Sequence, residues 1–292
     1  KDLHSSARVL SLSCTLQTFL PSLSSFHPQS TLMNSINKLT PALLSSLRPV
    51  RPMHAARAAH DMRILFCHGL GSSVRNRISQ QLTKLFASTE HHFEAIQYPA
   101  PNPCWRVADW FKAVEEKLTS ENTVIVAQSA GAHPALNATL KHPNKVKGLF
   151  LVSPGFDVDF AYVDKVIPGA MARLSAGEQV VHPASRNGEE TLVDLEGFKQ
   201  FRETCVSTRP GDLPINCPVT VVHGTSDELV PYGNSIRLLM KLKSKDIHMK
   251  DVPGGTHFLS MDDDIVRYEF EQFCIKMGIF NDIEKKQLRA KA

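Results

Sequence analysis

No apolar run in the 292-residue chain approaches the roughly 18 residues that a membrane-spanning helix needs, so no segment reads as a membrane span. Its six cysteines, Cys14, Cys67, Cys104, Cys205, Cys217 and Cys274, include no Cys-x-x-Cys pair and no histidine at zinc-finger spacing, and nothing in the pattern calls for a metal. Several stand in apolar contexts such as ILFCHG and EQFCIKM, which suits buried free thiols in a reducing compartment. Acids are nearly missing from the first sixty positions, where six Lys or Arg face a single Asp. The remaining chain carries a net −1, so the formal +4 of the whole gives no argument for nucleic-acid binding.

That acid-poor segment is rich in Ser, Pro and Leu and has no sustained period. From Met33 to His60 it combines Arg, Ser and small apolar residues, the composition of a mitochondrial transit peptide. The other reading starts the native protein at Met62 and leaves a cytoplasmic enzyme. Residues 1–61 are expected to be a disordered or targeting segment that adds no chemistry.

Downstream, short apolar runs alternate with amphipathic helices. RILFC (63–67) reads as a buried parallel strand, followed by a helix with Ile78, Leu82, Leu85 and Phe86 on one face. FEAIQYP (93–99) is the expected second strand, and Val107, Trp110, Phe111, Val114 and Leu118 mark the next helix. TVIVAQ is a third strand with its helix over 130–140, VKGLFLVSP a fourth, PVTVVHG a fifth and IHMKDVPG a sixth. Helices through Ile236, Leu239 and Met240, and through Val266, Phe270, Phe273 and Met277, complete the pattern. The alternation predicts an α/β fold, a three-layer α/β/α sandwich around a mostly parallel sheet of about six strands. Residues 62–154 and 215–282 form its core, and 283–292 a charged tail. The sixty residues between, 155–214, are too long for an unsupported loop and predict a small helical cap. One cap helix is expected to carry Val163, Val166, Ile167, Ala170, Met171 and Leu174, and another Leu195, Phe198, Phe201 and Cys205.

The third strand runs into Ala127-Gln128-Ser129-Ala130-Gly131. A serine at a tight strand-to-helix turn has its hydroxyl pushed above the carboxyl end of the sheet, as in the Gly-x-Ser-x-Gly nucleophile elbow, with Ala here in place of the first Gly. On this stretch alone, a serine that caps the following helix is an equal alternative. A nucleophilic serine also needs a base, an acid and oxyanion donors. HGTSDELVP places Asp227 after the fifth strand and GGTHF places His257 after the sixth, the chain order Ser, Asp, His. HGLGSS after the first strand offers the amide of Leu70, which with that of Ala130 could face one oxyanion.

Through HGLGSS, AQSAG, HGTSDELVP and PGGTHF, the stretch from about 62 to 280 resembles the α/β-hydrolase superfamily. The cap and LPINCPVTVVHGTSDELVPYGNS resemble more particularly the small-cap branch that includes mitochondrial acyl-protein thioesterases. The resemblance implies hydrolysis of esters or thioesters of small or lipid-like acyl substrates through an acyl-enzyme, without a cofactor or metal. Three features depart from the family pattern: the missing antiparallel opening hairpin, YPAPNP in place of an Asp-x-Arg-Gly turn, and His133-Pro134 in SAGAHPAL.

Each candidate also has a plainer reading. Asp227 could cap a helix before ELVPYGNS, and His257 could merely end a Gly-rich loop. His68 reads as structural, a backbone partner near the oxyanion loop that also stands among the pocket candidates with Phe156, Phe160, Tyr162, Val166 and Met171. His133, at i+4 from Ser129, could line the pocket or serve helix packing, and His223 ends a strand with no nameable partner. The acids Asp262, Asp263 and Asp264 suit the N-terminus of the last helix. The expected function is a serine hydrolase with Ser129, His257 and Asp227 as its triad; the rival is a catalytically silent protein of the same fold that binds a ligand or partner through its cap. The sequence leaves the oligomeric state open.

Overall fold

Six strands form one sheet, and every neighbouring pair in it runs parallel. The computed structural model describes residues 61–99, 107–157, 160–183 and 190–280, apart from the side chains of Phe160 and Ala161. The expected targeting segment, most of the YPAPNP turn and the charged tail lie outside the described residues. In chain order the elements are β1 (Arg63–Cys67), α1 (Arg77–Phe86), β2 (His92–Ala95), α2 (Val107–Lys117), β3 (Thr123–Gln128), a 3-10 turn (Ser129–Gly131) and α3 (Ala132–Lys141). Then follow β4 (Val146–Val152), α4 (Phe160–Val166), α5 (Ala170–Ser175), β5 (Val180–Val181), β6 (Leu192–Val193) and α6 (Leu195–Thr204). The chain closes the sheet with β7 (Val219–Gly224), α7 (Gly233–Lys241), β8 (Ile247–Val252) and α8 (Asp264–Lys276). The spatial order is β2-β1-β3-β4-β7-β8, and β5 and β6 make a separate antiparallel pair.

Strand periodicity divides the core into two layers. Leu65, Cys67, Ile125, Ala127, Leu149, Leu151, Val219 and Val221 face a cluster with α2, α3, α7 and the helices of 160–204. Their alternates Ile64, Phe66, Val124, Val126, Phe150, Val152 and Val222 face α1 and α8. Central strands buried on both faces explain the near-continuous apolar runs in the sequence. On the α8 side, Phe270 meets Phe86 and Phe150 edge-on, at ring-centroid distances of 6.4 and 5.1 Å.

The structure corrects two expectations. The helix expected from Val163 to Leu174 is two, α4 and α5, because Pro168 has no N–H to continue the ladder and Gly169 takes φ 73°. The second strand ends at Ala95 rather than Pro99: it is the sheet's edge, and beyond it the Ile96 N–H donates to Phe66 O. The helix expected through Ile236, Leu239 and Met240 is present as α7, with Ile236 and Met240 exposed and Asn234, Ser235 and Leu238 on its buried face.

Phe270→Ala should cost about 3–5 kcal/mol of unfolding free energy in urea, because the cavity it leaves lies among rigid aromatic rings. Met240→Ala, on an exposed side chain, should stay within about 0.5 kcal/mol of wild type.

Candidate active site

The carboxyl ends of β3, β7 and β8 lie on one edge of the sheet and carry Ser129, Asp227 and His257 respectively. Ser129 has φ 53°, a left-handed backbone that a non-glycine residue adopts only where its surroundings enforce it. The enforcement is visible on both sides of the turn. Gly155 N–H donates to Ser129 O at 2.9 Å, and Gly131 packs so closely on β1 that an added Cβ would lie 2.2 Å from Cys67 O. Ala127, in the motif's first position, is fully buried, and its methyl is absorbed into the core. Gln128 is tied by its side chain, which accepts from Asn76 Nδ2 at 3.1 Å.

The strained turn aims Ser129 at an imidazole. Ser129 Oγ–H donates to His257 Nε2 at 2.9 Å, and His257 Nδ1–H donates to Asp227 Oδ2 at 2.8 Å. His257 is 8% exposed, and the Asp227 side chain is inaccessible to solvent. Asp227 uses its two oxygens differently: Oδ1 accepts from the amides of Leu229 at 3.0 Å and Val230 at 2.8 Å, capping a turn, while Oδ2 faces His257. Burial acts to raise the Asp227 pKa. Hydrogen bonds from His223 and His257, the imidazole charge of His257 and the Val230 amide outweigh it and hold the carboxyl well below the usual carboxylate range.

The residues expected to hold an oxyanion are adjacent to the serine. A Cβ on Gly69 would stand 2.9 Å from Ser129 Cβ, and both Leu70 and Ala130 line the cavity that opens over Ser129. This cavity has a volume of about 1290 Å³. Tyr162, Val166, His182, Pro183 and Phe201 of the 155–214 segment form part of its wall, with Leu229 and Phe258 from the loops after β7 and β8. The loop between β1 and α1 and the first residue of α1 give the polar part: Ser72, Ser73, Arg75 and Asn76 from the loop and Arg77 from the helix, the last paired with Asp262 at 2.5 Å. Burial pushes the Tyr162 phenol up to about 12, with a further push from the charge of Asp227, and burial holds the His182 imidazole down to about 4.

Of the expected pocket residues, Tyr162 and Val166 reach the cavity, and the Phe160 side chain lies outside the described residues. His68, Phe156 and Met171 do not line it. His68 is buried beneath the loop, donating through Nδ1 to Gly69 O at 2.9 Å with its ring 4.4 Å from Tyr98, as its structural reading expected. Phe156 is 2% exposed in the core, and Met171 packs against the outside of that core from α5. His133 does both things considered for it: it lines the cavity and packs, with Nδ1 3.6 Å from Cys205 Sγ and its ring edge-on to Phe201. His182 and the polar loop over 72–77 were missed, since nothing in their local sequence marks them as walls. His223, for which the sequence names no partner, stands four residues before Asp227, and its Nε2 lies 3.2 Å from Asp227 Oδ2.

The depressed Asp227 pKa fixes the sign of a stability prediction. The unfolded carboxyl takes up its proton near pH 3.9, above the folded one, so the stabilisation is complete above that pH and is lost as pH falls towards the folded value. Urea unfolding of wild type between pH 7 and 2.5 should therefore steepen on the acid side, and Asp227→Asn should remove part of that slope.

Residues 63–196 match the alpha/beta hydrolase fold family. Among curated proteins, the mitochondrial palmitoyl-protein thioesterase of Pongo abelii is 23% identical over 137 residues, 46% of this chain and 44% of that one. A monoacylglycerol lipase of Mycolicibacterium smegmatis is 28% identical over 137 residues, 46% of this chain and 45% of that one. The chain thus spans about half the length of the curated relatives it matches. Among solved structures, the alpha/beta hydrolase domain-containing protein 10 from mouse superposes with a TM-score of 0.62 at 20% identity, covering 74% of this chain and 90% of that one. By its parallel sheet, by the match over residues 63–196 and by the superposition on solved structures, the chain has the α/β-hydrolase fold.

Proposed function

We propose that the protein is a serine hydrolase that cleaves thioesters or carboxylesters of small or lipid-like acyl groups through an acyl-enzyme. One observation carries the reading: a serine on a strained turn donates a hydrogen bond to an imidazole oriented by a buried carboxylate, at the floor of a large cavity. A serine hydroxyl is a weak nucleophile at neutral pH, and this arrangement supplies the base that activates it.

In the proposed reaction His257 Nε2 takes the Ser129 proton as Oγ attacks the substrate carbonyl. The carbonyl oxygen gains the charge, and the amides of Leu70 and Ala130 donate to it. Collapse expels the thiol or alcohol, which receives the proton from His257, and leaves an acyl-Ser129 ester. Water then repeats the sequence, giving its proton to His257 and releasing the carboxylic acid. Asp227 keeps the His257 Nδ1–H in place and stabilises the imidazolium of each step.

The walls suggest how a substrate lies. Val166, Phe201 and Leu229 suit an apolar acyl chain under the 155–214 segment, which acts as a cap, while the polar loop with Ser72, Ser73 and Arg75 suits a polar leaving group. The names of the relatives, a palmitoyl-protein thioesterase and a monoacylglycerol lipase, fit the same bond types. A mitochondrial location belongs to this reading through the thioesterase relatives and the transit-like composition of Met33–His60.

Ser129→Ala should lower kcat for an acyl thioester by roughly 10⁴- to 10⁶-fold while the circular dichroism spectrum stays that of wild type. A folded variant with near-wild-type turnover would end the assignment. The wild-type kcat/KM should fall about tenfold per pH unit on its acid limb, because a protonated His257 cannot accept from Ser129; a profile flat to pH 4 excludes His257 as the base.

A further inference from the structure

His223 ends in the interior at the carboxyl end of β7, completely buried, and has no role in the steps above. Both ring nitrogens are engaged. Val230 O lies 3.0 Å from Nε2 and can only accept, so Nε2 carries a proton. The same N–H reaches Asp227 Oδ2 at 3.2 Å. Nδ1 is then the acceptor for the Ser235 hydroxyl, 2.6 Å away. Ser235 is itself fully buried, in the first turn of α7.

We propose that His223 is a positioning residue for Asp227: it fixes the rotation of the carboxylate and shares Oδ2 with His257, and Ser235 sets the tautomer in which it does so. With Oδ1 held by the amides of Leu229 and Val230, the second imidazole removes the carboxylate's remaining freedom. The chain of contacts runs from Ser129 through His257, Asp227 and His223 to Ser235, and so anchors the reacting end of the sheet to α7.

Sharing Oδ2 has a measurable consequence. Two N–H donors on one oxygen each bind it less strongly than either would alone, so without His223 the carboxylate holds the His257 imidazolium more firmly. Deleting the brace therefore raises the pH at which His257 takes its proton, which a loss of packing would not do. The other titratable groups around His223 are few. Tyr232 lies 5.5 Å away between ring centroids and donates to Asp251 Oδ1 at 2.6 Å; Asp251 is the ladder neighbour of His223 on β8. Tyr162, on α4, faces the charge of Asp227, and His257 is reached through Asp227.

The effect on rate rests on the serine hydrolase reading, and the effect on titration does not. The experiment follows the His257 imidazole by NMR in the full chain labelled with ¹⁵N-histidine, for wild type, His223→Phe, His223→Gln and Ser235→Ala, with His257→Gln to assign the signal. Melting temperatures and hydrolysis of a medium-chain acyl thioester are measured beside it. His223→Phe should raise the midpoint by about half to one pH unit and lower kcat roughly 10- to 100-fold at unchanged KM. His223→Gln, whose amide can donate to Oδ2 and accept from Ser235, should return both towards wild type, and Ser235→Ala should shift the midpoint the same way by less. A folded His223→Phe with the wild-type midpoint overturns the proposal, as does equal loss in Phe and Gln variants with only the melting temperature moving. If His223→Phe does not fold, Ser235→Ala decides by the same midpoint. A wild type that hydrolyses nothing while the midpoint still shifts defeats the hydrolase reading and leaves the brace standing.

Discussion

The left-handed backbone at Ser129 is the constraint on which the rest of the site depends. An L-residue at φ 53° is held against a cost of about 1–2 kcal/mol, so the structure around it must leave no other choice. Here β3 is clamped in register between β1 and β4, with Ala127 opposite Cys67 and Leu151, so the chain reaches the turn with no slack. On the far side Gly131 lies against the backbone of Cys67 and His68 at distances that admit no side chain. The strain is thus stored between a two-sided buried sheet and α3, and its product is a hydroxyl lifted above the strand ends.

A raised serine would be inert without the electrostatics set opposite to it. Asp227 is buried, which by itself would favour its neutral form, and four N–H groups reverse that preference. Two are backbone amides of its own turn and two are imidazoles. One oxygen accepts from the amides of the turn and the other from the imidazoles, so the turn that follows β7 cannot relax without disturbing His257. In an open α/β sheet ligands gather at the carboxyl ends of the strands, and this sheet carries Ser129, Asp227 and His257 just beyond β3, β7 and β8.

Much of this was legible because it follows from periodicity and spacing. Strands buried on both faces read as apolar runs, and the order of Ser129, Asp227 and His257 could be taken from short motifs at strand ends. What escaped depended on contacts made by side chains distant in sequence. The partner of His223 is Ser235, twelve positions on, at the buried face of a helix whose apolar residues Ile236 and Met240 point to solvent. Hydrophobic pattern misreads α7 because its inner face is used for hydrogen bonds: Asn234 donates to Asp157 O and Ser235 to His223. The cap's apolar stripes read mostly as its own core with some of the candidates facing the serine, and apolar character alone does not tell that Phe156 and Met171 belong to the packing behind the cavity wall. The early end of β2 and the break at Pro168-Gly169 have local causes, an edge position and a missing N–H, but the first requires knowing the strand order.

The central claim is that Ser129 is an activated nucleophile, and a fluorophosphonate tests it with least dependence on the unknown acyl group. Intact-mass measurement of the purified protein after exposure to such a reagent should show one adduct on wild type and none on Ser129→Ala. A folded wild type that gains no adduct, or a Ser129→Ala variant that gains the same one, would contradict the account.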